Sequence, residues 1–293
     1  MNKILNFGSL NIDYVYQVEH FVSAAETLSS DGMTVNCGGK GLNQSIAAAK
    51  AGAEVYHAGK IGADGQMLID ELNKNSVNTD FLYKCDAKCG HAIIQVDSEG
   101  QNCILLYSGS NSMNTEQEVD KCLESFGEGD WLLLQNEINL IPYIIERAYD
   151  KGMKIVFNPS PITADIKSYP IEKVSLLILN EIEGAALGGG QDEDKILDEL
   201  HRLYKDTAVL LTLGKKGAVY SDGTIKVAHG IFDTKVVDTT AAGDTMMGYF
   251  VASLAKGIEP AEALKIASKA SSITVSRKGA AASIPLISEI VFD

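Results

Sequence analysis

The sequence predicts an α/β fold of three layers: a central, mostly parallel sheet with helices on both faces, plus a small β-lid. Three observations predict it. Short segments that are apolar along their whole length alternate with amphipathic stretches of helical length, and strands apolar on both faces belong in a sheet covered on both sides. Polar clusters recur at strand ends, where an open parallel sheet presents its ligands. Two further segments, 12–35 and 91–107, are rich in β-forming residues, contain no helix, and so stand outside the alternation.

The elements follow in order. Residues 3–7 read as a strand, 41–51 as a helix ended by Gly52, 54–58 as a strand and 64–75 as a helix. Next come a strand at 131–134, a helix at 140–151 and strands at 155–157, 176–179, 209–213 and 218–220, with an acidic helix at 192–204 between the third and fourth of these five strands. Two long helices, 244–256 and 260–276, finish the chain; Lys256, Gly257 and Pro260 mark the break between them. The segments 12–35 and 91–107 read as antiparallel strands forming a flap over the ends of the main sheet. No repeat or long linker interrupts this order, so residues 1–293 read as one domain with a lid.

Charge narrows the class of function. Lys and Arg total 25 against 39 Asp and Glu, a net charge of −14, and only Arg147, Arg202 and Arg277 are arginines. Nucleic acid and anionic membrane both require clustered basic residues, so neither is an expected partner. Cys37, Cys85, Cys89, Cys103 and Cys122 are irregularly spaced and lack a second pair or a histidine cluster to complete a zinc site, which reads as reduced thiols. The first residues enter a strand without a leader's apolar core, and no apolar run approaches a membrane span. A cytoplasmic protein is expected.

The most informative stretch is 237–245 (VDTTAAGDT). Ala241, Ala242 and Gly243 lie at a helix start, where small residues leave backbone N–H groups bare and the helix dipole favours an anion. Asp244 has two readings there. It is either a helix cap, or a carboxylate that takes a proton from an attacking hydroxyl while the N–H groups hold a phosphoryl group.

Other polar groups belong with it. The run 38–44 (GGKGLNQ) is not a P-loop, because Gly41 follows Lys40 where Ser or Thr is required. Its glycines admit a close approach of backbone to ligand, and Lys40 and Asn43 add a charge and an amide. Asn11 and Asp13 follow the first strand, Gln135, Asn136 and Glu137 follow another, Asn180 and Glu183 a third, and the run from Thr212 through Gly214, Lys215 and Lys216 to Gly217 a fourth. Each cluster alone is ordinary loop chemistry; together they suggest one shared cleft.

These motifs, in this order from about residue 3 to 287, resemble the PfkB, or ribokinase-like, carbohydrate kinases. DTTAAGDT (238–245) is similar to that family's second signature and GGKGLNQ to its first. Asn180-x-x-Glu183 resembles its magnesium and phosphate motif, 212–217 its nucleotide loop, and 276–285 (SRKGAAASIP) its monovalent-cation loop. The resemblance implies a ribokinase-like sandwich that phosphorylates the primary hydroxyl of a small sugar with ATP, D-ribose to D-ribose 5-phosphate. A nucleoside or a fructose-type sugar is the alternative acceptor, and a non-catalytic sugar sensor the alternative class. It implies Asp244 as base with Ala241, Ala242 and Gly243 as anion hole, and Asn11, Asp13, Gly39, Lys40, Asn43 and Glu137 around the sugar. Asn180, Thr212, Gly214, Lys215, Gly217, Gly243 and Ser268 would border the nucleotide. Glu183 would act on Mg2+ through water, and Asp238, Thr240, Thr274, Arg277, Gly279 and Ser283 would surround K+. A homodimer through the lids is implied as well. The sequence departs from the family at Ala24-Ala25, at Cys89-Gly90-His91 on the lid, at Lys215-Lys216 and at Met246-Met247. No Gly-x-Gly-x-x-Gly follows the first strand, which argues against a dinucleotide enzyme.

Overall fold

A strand buried on both faces sends alternate side chains into two different cores, and this chain has two. The computed structural model describes residues 2–292. In β1 (Ile4–Phe7), Ile4 joins one core while Leu5 and Phe7 join the other. The chain continues through β2 (Asn11–Gln17), β3 (Gly32–Gly38), α1 (Lys40–Lys50), β4 (Val55–Ile61), α2 (Gln66–Lys74), β5 (Asn78–Lys84), β6 (Gly90–Val96) and β7 (Asn102–Tyr107). There follow α3 (Glu116–Leu123), β8 (Trp131–Gln135), α4 (Ile141–Asp150), β9 (Lys154–Asn158), β10 (Leu176–Asn180), α5 (Glu181–Gly188), α6 (Glu193–Leu203) and β11 (Ala208–Thr212). The chain closes with β12 (Ala218–Ser221), β13 (Lys226–His229), α7 (Ala242–Ala255) and α8 (Pro260–Val275).

The main sheet has the order β13-β12-β11-β10-β9-β8-β1-β4-β5. It is parallel from β11 to β5, and β12 and β13 add an antiparallel edge. One core lies under α1, α2, α7 and α8 and includes Leu42, Ile46, Tyr249, Phe250 and Leu264; the other lies under α3 to α6 and includes Val119, Ile144, Leu187 and Leu200. A fully buried side chain such as Phe250 contributes about 1.5–3 kcal/mol. Helices α1 and α7 touch at Gly248, where an added Cβ would come within 2.4 Å of Ala47 Cβ and 2.8 Å of the Gln44 carbonyl oxygen. Only glycine lets them approach so closely.

The structure adds four elements to the sequence reading: β5, α3, α5 and β13. β5 and β13 are the two edges of the main sheet and mix polar with apolar residues, so they lack the unbroken apolar run of the central strands. The helices α3 and α5 are only eight residues each, too short to show a period, but each opens with a capping box, Thr115 with Glu118 and Asn180 with Glu183. Helix α7 begins at Ala242, two residues earlier than expected.

Segments 12–35 and 91–107 supply a separate sheet of order β3-β2-β6-β7. Its strands are not all antiparallel: β2 and β6 run parallel, from Asn11 beside Gly90 to Gln17 beside Val96. The reason is topological. Each hairpin follows a parallel strand of the main sheet, β1 or β5, so both first arms point the same way. Cross-strand partners share a face, which puts Val35, Tyr14, Ile93 and Leu105 in one row and Asn36, Asp13, Ala92 and Leu106 in a row on the other face.

Candidate active site

Where β1 ends, the backbone makes room. A Cβ on Gly41 would come within 2.4 Å of the Ser9 nitrogen, and Gly39 has φ +95°, so both positions favour glycine. The Ser9 hydroxyl accepts the Gly41 N–H at 3.2 Å and donates to Glu137 at 2.5 Å. Glu137 also accepts from the Lys40 ammonium at 3.0 Å and the Lys40 N–H at 3.3 Å. Burial opposes the Lys40 charge, but Glu137 and Asp244 outweigh it and hold its pKa above the usual value.

Asn11 and Asp13 point from β2 along one face. Asn11 accepts from the Asn111 amide at 2.8 Å. Asp13 occupies the space that a side chain on Gly38 would fill, since a Cβ there would lie 2.0 Å from its Oδ2. Burial, and then the charge of Glu137, push the Asp13 carboxyl up to about 6. His91 is taken up by packing: its ring lies 6.0 Å from Tyr14 and 4.9 Å from Tyr107, and Nδ1 lies 3.2 Å from the Cys89 carbonyl.

Helix α7 supplies the other wall and bears on the cap reading of Asp244. The N-cap is Ala241, left-handed at φ 59°, with no side-chain cap among the described residues. Asp244 lies in the first turn, but its carboxylate turns to α1: Oδ2 accepts from Asn43 Nδ2 at 3.0 Å and Oδ1 from Gln44 Nε2 at 2.9 Å. Asp244 is therefore not a helix cap. Burial drives its pKa above the ordinary carboxylate value, against the pull of the Gln44 and Asn43 amides and of Lys40. The N–H groups differ from expectation in one respect. Ala242 donates to the Thr239 carbonyl at 3.3 Å and is withdrawn, while among the described residues Gly243 and Asp244 have no acceptor for theirs. The Ala241 N–H also lacks an acceptor among the described residues, so the free donors at the helix start are those of Ala241, Gly243 and Asp244.

A cleft of about 230 Å³ opens beside this helix start. Of the expected site residues, Lys40, Asn180, Glu183, Thr212, Ala241, Ala242, Gly243 and Asp244 line it. Asn158, Ser160, Thr239 and Met247 line it too, none of which the sequence reading assigned a role. Asn158 ends β9 just as Asn180 ends β10, so its place at a strand end was the available signal. Among the described residues Asn43 Oδ1 and Asn158 Oδ1 are buried acceptors without a partner. A buried unpaired acceptor is costly, and a donor on a bound ligand would satisfy it. Gly214, Lys215 and Gly217 form the turn after β11 outside this cleft, and Ser268 is buried in α8 with its hydroxyl unpartnered among the described residues.

Asn180 and Glu183 cap each other across α5, the Glu183 N–H bonding Asn180 Oδ1 at 2.9 Å and the Asn180 N–H bonding Glu183 Oε2 at 3.0 Å. This leaves Glu183 Oε1 outside the cap. Near the C-terminus, Asp238 ties two loops, accepting from the Thr240 N–H and the Gly279 N–H at 2.9 Å each. The hydroxyls of Thr245 and Thr274 meet at 3.1 Å, the Ser283 hydroxyl bonds the Ala280 carbonyl, and Arg277 turns outward to Glu289.

A carboxylate raised by burial, outward helix N–H groups and a lysine stand around one cleft, the kinds of group that phosphoryl transfer to a hydroxyl requires. Residues 1–287 match the pfkB family of carbohydrate kinases. Ribokinase of Staphylococcus aureus (strain COL) is 34% identical over 301 residues, covering 99% of this chain and 98% of its own length. Ribokinase from Thermotoga maritima has a similar structure, with a TM-score of 0.90 at 31% identity over 99% of this chain and 98% of the other. Ribokinase of Arabidopsis thaliana, solved with ribose and ATP, gives a TM-score of 0.89 at 26% identity over 99% and 98%. This chain belongs to the pfkB family of carbohydrate kinases.

The Asp13 shift has a measurable sign. A carboxyl raised to about 6 from 3.8 favours the folded state below the unfolded value and loses that stability as pH rises through about 6. At pH 7 the ligand-free protein therefore carries the cost of a buried charge. Asp13→Asn is expected to raise Tm by a few degrees at pH 7 and by less at pH 5. An unchanged or lower Tm at pH 7 would contradict the assignment.

Proposed function

We propose that this chain transfers the γ-phosphoryl group of ATP to the primary hydroxyl of D-ribose, giving D-ribose 5-phosphate. The observation that carries the reading is the Asp244 carboxylate, held by Asn43 and Gln44 rather than by its own helix, beside the free N–H groups of Gly243 and itself. Asp244 takes the proton from the hydroxyl as that oxygen attacks phosphorus, and the N–H groups bear the charge of the transferring group. Asn11, Asp13, Asn43, Lys40 and Glu137 hold the sugar hydroxyls, while Asn180, Thr212 and the 212–217 turn border the nucleotide. The small sheet is the lid, its Asp13 face turned to the sugar. The five free cysteines support a reducing, cytoplasmic setting. Among the described residues no helix is long and apolar enough to cross a membrane.

Two cations belong to the proposal. Among the described residues no group of three His, Cys, Asp and Glu side chains could hold a metal, so each cation would rely on single carboxylates, carbonyls or the nucleotide. Glu183 fits Mg2+, since it lines the cleft and keeps Oε1 outside the cap. Mg2+ would neutralise charge on the β- and γ-phosphates. The loops joined by Asp238 offer hard oxygens suited to K+, with Thr240, Thr274, Arg277, Gly279 and Ser283 on their borders. K+ would fix the backbone that aims the N–H groups. Potassium at constant ionic strength should raise kcat over sodium and over a bulky organic cation; equal rates in all three remove the K+ site.

A homodimer through the lids is supported by the outer row of the small sheet, where Val35, Ile93 and Leu105 are exposed, Leu105 by 68%. Sedimentation showing only monomer at micromolar concentration would dismiss it.

The central test is a coupled ADP-release assay over pentoses, hexoses and nucleosides. D-Ribose should exceed fructose and adenosine in kcat/KM by at least about tenfold, because the site's buried polar groups stay unpaired with the wrong ligand. Asp244→Asn should keep the fold and nucleotide affinity while turnover falls by roughly 10²–10⁴-fold. In the wild type the acid limb of kcat/KM should lie above the ordinary carboxylate value, activity falling as Asp244 takes up its proton. A folded Asp244→Asn enzyme within about threefold of wild type would defeat the mechanism.

A further inference from the structure

Beneath Asp244 lies a line of buried polar side chains. Asn6, Gln44, Ser45, His57 and Gln135 are all fully buried. Each is bonded to the next. The Ser45 hydroxyl lies 2.7 Å from His57 Nδ1, and His57 Nε2 lies 3.2 Å from the Gly8 carbonyl. Asn6 Nδ2 donates to Ser45 Oγ and to the Gly41 carbonyl, both at 2.8 Å. Gln135 Nε2 donates to Asn6 Oδ1 at 3.0 Å and to Gln44 Oε1 at 2.8 Å. Gln44 Nε2 then donates to Asp244 Oδ1 at 2.9 Å and to Met247 Sδ at 3.3 Å.

The line has one direction. At its far end the Gly8 carbonyl can only accept, so His57 carries its proton on Nε2 and presents Nδ1 as an acceptor. Burial keeps that ring neutral by pushing its pKa down to about 4. The Ser45 hydroxyl must then donate to Nδ1 and accept from Asn6. At the near end the Asp244 carboxylate can only accept. Reversing either glutamine amide would set two oxygens face to face, at a depth where no water compensates. Both protons of Gln135 Nε2 are committed, and its Oε1 has no partner among the described residues. The geometry is over-determined from both ends.

We propose that Gln135 and Gln44, anchored through Asn6, Ser45 and His57, are positioning residues that pin Oδ1 of Asp244 and so leave Oδ2, with Asn43 beside it, as the oxygen that meets the acceptor hydroxyl. This rests on the reading of Asp244 as the base. Without the Gln135 donor, the Gln44 amide is free to turn its oxygen toward the carboxylate. An oxygen there destabilises the ionised form, so Asp244 would become both less well aimed and harder to ionise.

The test is Gln135→Met, which keeps length and removes the donor, made alone and together with Asp244→Asn. Folding is checked by circular dichroism and Tm, and ribose and ATP are the substrates. The expected result is a fall in kcat of about tenfold, the scale of a modest misalignment of a reacting group, with both KM values within about twofold. The acid limb of the pH profile should move up by at least about 0.5 unit. The charged groups around Asp244 are Lys40 on α1 and Glu137 after β8, with Glu183 on α5 facing Lys40; none belongs to the line, so such a shift reports the Gln44 amide. In the Asp244→Asn background Gln135→Met should cost nothing further. If Gln135→Met does not fold, Gln135→Asn keeps an uncharged amide and carries the same expectation, because the shorter side chain cannot donate to both Gln44 and Asn6. A folded variant with wild-type kcat and an unmoved acid limb, beside an inactive Asp244→Asn enzyme, overturns the proposal alone. An Asp244→Asn enzyme that still turns over overturns the base and the positioning together.

Discussion

The chemistry of this protein depends on the contact between α1 and α7. These helices lie some two hundred residues apart in the chain and meet where Gly248 admits Ala47 and the Gln44 carbonyl. Because they pack so closely, the first turn of α7 lies against the first turns of α1, and the Asp244 carboxylate reaches Asn43 and Gln44. Neither helix makes a site alone. α1 has amides with no charge to hold, and α7 has a carboxylate that would otherwise turn to solvent. Their contact converts two ordinary helix starts into one wall of a cleft, with the bare N–H groups of Gly243 and Asp244 at its rim.

That wall is built against an electrostatic gradient. The chain is strongly acidic, yet the proposed ligands are anionic or carry hydroxyls that must lose a proton. The structure meets this with few cations. Lys40 is held charged between Glu137 and Asp244, and backbone N–H groups, which cost nothing in net charge, supply the rest of the positive potential. Burial raises the carboxyls of both Asp13 and Asp244. For a base this is useful, because a carboxylate left in water is too weak to draw a proton from an alcohol. The same burial weakens the empty protein, so the groups that make the site reactive are those that make it least stable.

Most of this was legible in the sequence, and the exceptions share a cause. Central strands are legible because they are apolar on both faces, and Asp244 stands out because small residues precede it at a helix start. The edge strands β5 and β13 were missed because an edge mixes polar with apolar residues and leaves no unbroken signal. The orientation of β2 against β6 was missed because strand direction is set by what precedes each hairpin, which local composition does not record. The place of Asn158 on the cleft is not legible although it ends a strand as Asn180 does; without a motif around it, one asparagine at a strand end is indistinguishable from a turn residue. The buried line from His57 to Gln44 draws on four separate segments, and only Gln44 and Ser45 are neighbours in sequence. What sequence reports well is local geometry and face; what it hides is which distant amide faces which.

The position of Asp244 so late in the chain has a consequence for synthesis. Asn11 and Asp13 on β2, Asn43 on α1 and Glu137 just after β8 are all made in the first half of the chain. Until α7 and α8 emerge, one face of that sheet lacks Tyr249, Phe250 and Leu264 and stays exposed. A ribosome-bound chain, extended at about 5–20 residues per second, can therefore display these polar groups before Asp244 stands beside them. Catalytic competence arrives in one step, with the last helices. A prematurely released fragment would lack Asp244 and part of one core, leaving quality control an incompletely packed chain to remove rather than a finished enzyme.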